Sequence, residues 1–140
     1  MGGGKDNSKS IINNFSNSGT IHSNAGESIY FGNANISSFA NSGTIKSKQG
    51  AGVNISQGTS IENFNNTGTI EGKSMGVNVR STINTFVNDG LIAATNDGIR
   101  INANVKTLTN KGTIKGDGIS IRLNGTIETL TNEGIMDGKS

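Results

Sequence analysis

Residues 83–92 read I-N-T-F-V-N-D-G-L-I, and the same arrangement occurs six times along the chain. Its shared form is [I/V]-x-x-[F/L]-x-N-x-G-[T/L/I]-[I/M], with the glycine at Gly19, Gly43, Gly68, Gly90, Gly112 and Gly134. Successive glycines lie 24, 25, 22, 22 and 22 residues apart. A period of that length marks a solenoid, in which each unit buries its apolar face only against its neighbours.

Each unit reads as three short strands. Around Ile83 they are I-x-x-F-x-N, then L-I, then Ile99 and Ile101 with one residue between them. Inward residues alternate within each run, and no i, i+3, i+4, i+7 stripe is sustained, so the pattern is β rather than α. The expected fold is a single-stranded parallel β-helix of about six rungs, right-handed like other parallel crossovers. Rungs ~4.8 Å apart make a column roughly 25 Å long. Length changes fall in the first units, between the glycine and the I-x-I run or just after it, where turns accept insertions.

Composition agrees with this reading. Of 140 residues 31% are hydrophobic and 4% aromatic, with no Trp. A compact globule would be short of core at that level, but a thin stacked column is not. The chain has 21 Gly and no Pro, which suits strands joined by tight turns. The absence of Cys excludes disulfides and thiolate metal sites. A net charge of +2 is too small to imply nucleic acid. No apolar run reaches the ~18 residues of a membrane span. Residues 1–10, M-G-G-G-K-D-N-S-K-S, read as a flexible polar leader without a signal-peptide apolar core, and residues 11–140 as the repeat domain. With no cap legible at either end, the domain reads as a fragment of a longer solenoid or as a unit that stacks end to end.

Asn17, Asn41, Asn66, Asn88, Asn110 and Asn132 each follow a core Phe or Leu by two positions, so they are expected to point inward. Buried amides need partners, and an axial ladder in which each amide donates to the next supplies them. The glycine two residues later is expected to take φ > 0. The residues just before it, Asp89, Lys111 and Glu133, alternate in sign and suggest an exposed ion ladder, as do Lys106 and Glu128.

The arginines Arg80, Arg100 and Arg122 fall on the third strand of successive units. Arg100 and Arg122 share an outward column with Tyr30, Asn54 and Asn78. Together they form a candidate glycan- or anion-binding patch, since guanidinium takes planar anions in a bidentate way. The alternative is a solvated face partnered by Asp97 or Asp117. Those two aspartates read as turn residues in N-D-G and G-D-G, not as calcium ligands.

No catalytic constellation stands out. The single His22 has no inward carboxylate beside it, and no paired Asp/Glu recurs on one strand face. An ice-binding reading fails on the column Thr20, Thr44, Thr69 and Thr113, interrupted at Leu91 and followed by His22, Lys46, Glu71 and Lys115. No metal, cofactor or enzymatic role is expected.

The repeated N-x-G-T-I followed by G-I-x-I resembles the passenger domains of bacterial autotransporters, the adhesins and toxins of type V secretion. The resemblance covers residues 11–138. It implies a right-handed β-helix stalk that is displayed on, or released from, a cell surface. Host or cell-surface glycans or proteins would be its partners. It carries over no site residues.

Overall fold

A computed structural model of the protein describes residues 9–139. The expected leader over residues 1–10 falls almost wholly outside them, and the first strand begins at Ser10. The described chain is an all-β parallel solenoid of about six turns, built of three sheets. Sheet A stacks Ser10–Asn17, Ala34–Asn41, Ser60–Asn66, Thr82–Asn88, Asn104–Asn110 and Thr126–Asn132. Sheet B stacks Thr20–Ser23, Thr44–Ser47, Thr69–Gly72, Leu91–Ala94, Thr113–Gly116 and Ile135–Asp137. Sheet C stacks Ile29–Phe31, Val53–Ile55, Met75–Val79, Asp97–Ile101 and Ile119–Leu123. Every strand pairs in parallel with its counterpart one rung away, and the registers carry each motif position onto the next: Phe39 onto Phe64, Phe64 onto Phe86, Phe86 onto Leu108.

The core is one column between the sheets. Phe39, Phe64, Phe86 and Leu108 are at most 1% exposed. Phe15, Phe39, Phe64 and Phe86 form a stack with centroids 5.0, 4.4 and 4.4 Å apart. Phe31 closes the first turns edge-on against Phe15 and Phe39. Each stacked pair adds about 0.5–1.5 kcal/mol beyond its buried area. The inserted residues of the early turns lie where a left-handed backbone is needed, at Asn33 with φ 54° and Gly58 with φ 83°.

The motif glycines correct the expectation of positive φ. None of the six has it; among the described glycines only Gly58 does. They are glycine because successive turns nearly touch. A Cβ on Gly43, Gly68, Gly90, Gly112 or Gly134 would lie 2.1 Å from the carbonyl oxygen of the glycine one rung before. A sequence shows that a glycine recurs; the rung-to-rung approach that demands it is a distance between segments 22 to 25 residues apart. A second column has the same origin. A Cβ on Gly52, Gly76 or Gly98 would meet Cγ2 of Ile70, Ile92 or Ile114 in sheet B, at 2.8, 2.6 and 3.0 Å.

Gly19 is the control that this packing provides, since nothing lies within 4 Å of a Cβ added there. We expect Gly90→Ala to destabilise by about 1–3 kcal/mol, as overpacking does. Gly19→Ala should leave the urea midpoint near that of wild type. Equal shifts for the two would mean that the carbonyl contact is not the reason for glycine.

Candidate functional site

The inward asparagines form the expected ladder. Nδ2 of Asn17, Asn41, Asn66 and Asn88 each donates to Oδ1 of the next asparagine at 2.9 Å, and Asn110 donates to Asn132 at 2.8 Å. Each amide also donates to the carbonyl of the glycine two residues on, at 3.1–3.2 Å. The second N–H spans the rungs as well: Asn88 Nδ2 reaches Thr113 O at 3.0 Å. Asn66, Asn88 and Asn110 are fully buried, so the ladder is interior structure and not a groove for a ligand.

The outward column of sheet C is confirmed by register: Tyr30 faces Asn54, Asn54 faces Asn78, Asn78 faces Arg100, and Arg100 faces Arg122. Tyr30 and Arg100 are therefore three rungs apart, ~14 Å along the axis. Tyr30 is 60% exposed. Asn54 and Asn78 are buried although they face away from the core, because each amide lies against the next residue of its column. Asn78 Nδ2 donates to Asn54 Oδ1 at 3.2 Å, and Asn54 Nδ2 donates to Glu27 Oε1 at 3.1 Å. This short outer chain runs opposite to the inner ladder and leaves Asn78 Oδ1 without a partner among the described residues. Arg80 follows the end of Met75–Val79 rather than sitting on it, in an exposed position.

Asp97 departs from the turn reading. It begins the strand Asp97–Ile101, and its side chain is 2% exposed. Its Oδ2 accepts from Arg100 Nη2 at 2.8 Å, Arg100 Nε at 3.2 Å and Arg122 Nε at 2.8 Å, and its Oδ1 accepts from Arg122 Nη2 at 3.4 Å. Arg100 lies three positions after Asp97, and one rung separates Arg100 from Arg122, so a single carboxylate reaches both guanidiniums. Sequence spacing could name the pair but not this burial. Asp117 does sit in an exposed turn.

Burial pushes the Asp97 carboxyl up. The hydrogen bonds and charges of Arg122 and Arg100 outweigh this and hold it below the ordinary aspartate value. The same contact raises the Arg122 guanidinium. Among the described residues both ion pairs end on Asp97. The ion ladders expected for Asp89, Lys111 and Glu133 and for Lys106 and Glu128 therefore do not form. Exposed side chains gain too little from pairing to hold one geometry.

The sequence pattern hides one regular surface. The outer face of sheet A carries Thr85, Thr107 and Thr129 in one column and Val87, Thr109 and Thr131 in the next, all in register. These residues are adjacent only after stacking. An open depression of about 380 Å3 on the same face is lined by Ile11, Asn35, Ile36, Ser37, Ser60 and Glu62. Among the described residues no three His, Cys, Asp or Glu side chains come together as metal ligands would.

The fold defines the class: a parallel β-solenoid with an internal asparagine ladder. Compared with known proteins, the chain matches no family model, no curated protein and no solved structure.

Two measurements test this geometry. Asn88→Asp should be less stable than Asn88→Ser at pH 7, because a carboxylate there would face Asn110 Oδ1, Gly90 O and Thr113 O, all acceptors. The serine variant loses about 1–3 kcal/mol for each partner it leaves unmet. Equal urea midpoints would place the side chain in solvent. Asp97, with a folded pKa below its unfolded one, stabilises the fold above the unfolded value and loses that contribution as pH falls through the folded value. Wild type should therefore lose stability more steeply than Asp97→Asn in that acid window. Parallel stability–pH curves would show that the clamp contributes nothing.

Proposed function

We propose that this chain is a non-enzymatic structural segment of a β-solenoid stalk, carried by a bacterial surface or secreted protein and adhesive through its outer faces. What supports the reading is the unbroken register of six like rungs, together with the resemblance of N-x-G-T-I to autotransporter passengers. Such a rod extends by adding rungs. At one end Asn17 Oδ1 accepts from its own Gly19 N–H at 3.3 Å, and at the other Asn132 Nδ2 donates to its own Gly134 O at 3.2 Å. Leu130 is 49% exposed and Ile135 60%. Copies stacked end to end, with Asn132 of one against Asn17 of the next, would continue the asparagine ladder. Copies joined this way meet top to bottom in an interface that does not close.

The alternative reading is a weak glycan- or anion-binding module through Arg80, Arg100, Arg122 and Tyr30. It has less support, because Asp97 engages two of the three guanidiniums and Tyr30 stands apart from them.

Sedimentation across concentration, with binding to immobilised neutral and acidic glycans, tests both readings. End-to-end stacking predicts association that Ile12→Lys with Phe15→Lys abolishes while the inner rungs stay folded. A monomer at all concentrations with its end rungs protected from hydrogen exchange overturns it. Adhesion through the arginines predicts binding that weakens with salt and is lost in the triple alanine variant. Binding unchanged in that variant removes the patch, and binding to no surface removes the adhesive role.

A further inference from the structure

We propose that Asn124 is a site of self-modification, where the backbone nitrogen of Gly125 displaces the side-chain amide and converts the residue to aspartate and isoaspartate. Asparagine is chemically labile, and its lability depends on whether the next residue's nitrogen can reach its side-chain carbon. Asn is followed directly by Gly once in the chain, at Asn124-Gly125, where no side chain hinders the approach. Both residues are exposed and lie in the turn between Ile119–Leu123 and Thr126–Asn132.

The hydrogen bonding singles out the same nitrogen. Asn124 N donates to Ile101 O at 2.8 Å and Thr126 N donates to Ala103 O at 3.0 Å. Nothing among the described residues accepts from the Gly125 N–H between them. The Asn124 side chain is held by one bond, Nδ2 to Asn102 Oδ1 at 2.9 Å. The inner-ladder asparagines differ in the residue that follows them and in how their side chains are held. Each is held by three or four side-chain bonds, four at Asn88 and three at Asn132, and they are followed by Ser18, Ser42, Thr67, Asp89, Lys111 and Glu133. Nor can the turn escape by replacing its glycine, since a Cβ on Gly125 would lie 2.1 Å from Ala103 O. The close packing that requires glycine also creates the labile pair.

The chemistry needs only water. Gly125 N gives its proton to base and bonds to Asn124 Cγ, the Cγ–Nδ2 bond breaks, and Nδ2 leaves as ammonia. Water then opens the five-membered imide at either carbonyl. One opening leaves aspartate, and the other leaves isoaspartate, whose main chain runs through Cβ and Cγ. Either product replaces the donor facing Asn102 Oδ1 with a carboxylate oxygen, so that cross-rung bond is lost. Isoaspartate also lengthens the turn leading into Thr126–Asn132.

The full folded chain, incubated in mildly alkaline buffer and then cut with trypsin, tests this. Cleavage after Arg122 and Lys139 puts Asn124 and Asn132 on one peptide, residues 123–139. The expected result is the amide-to-acid mass gain at Asn124 several-fold faster than at Asn132, split into two chromatographic forms and accelerated by rising pH. Asn124→Gln, which keeps an exposed amide, should show no gain at position 124 over the same time. The proposal is overturned if Asn132 converts as fast as Asn124. It is overturned equally if Asn124 stays intact in the folded chain while the urea-unfolded chain converts it.

Discussion

Axial repetition at ~4.8 Å is the constraint on which every other feature depends. Each rung hydrogen-bonds only to the rungs beside it, so each side chain lies against the same position of its neighbours. A column is stable when its residue is compatible with itself. Ile, Val and Phe meet that condition by dispersion alone. Among buried polar side chains asparagine meets it because its amide both donates and accepts along one axis. The six-membered ladder from Asn17 to Asn132 is the result. A column of aspartates would set acceptor against acceptor, and a column of lysines donor against donor.

Charged side chains suffer under the same repetition. Arg100 and Arg122 are forced into register, and alone they would repel each other one rung apart. Asp97 relieves this by bridging both. Its near-complete burial is tolerable because four hydrogen-bond contacts replace its water. Asp89, Lys111 and Glu133 are also one rung apart, but they stand at an exposed corner where solvent competes and no pair forms. Burial, more than spacing, decides which charges join.

Backbone repetition has its own demand. At the corners the main chain of one rung presses on the carbonyls of the last, and only hydrogen fits in place of Cβ. These glycines provide close approach, whereas the conformational freedom usually associated with glycine is used at Gly58. At Asn124-Gly125 the requirement for glycine meets an asparagine in an exposed turn, which joins the fold's geometry to its chemical durability.

Much of the architecture was legible in residues 83–92 and their five relatives. Period, strand class, core columns and the amide ladder all follow from which residue types recur, because a solenoid writes its contacts into sequence at a constant interval. The expected third-strand column of Tyr30, Asn54, Asn78, Arg100 and Arg122 came from the same rule. What needed the tertiary structure is whatever depends on distance between rungs or between sheets. The motif glycines were recognisable, but the 2.1 Å carbonyl contact behind them was not. Asp97 reads as a turn residue in N-D-G, yet it is buried beneath two arginines, one of them a full rung away, a contact outside any local pattern. The threonine face of sheet A is dispersed through three repeats and becomes a surface only on stacking. Repeating sequence determines which residues share a column; the approach of one turn to the next decides what each column can hold.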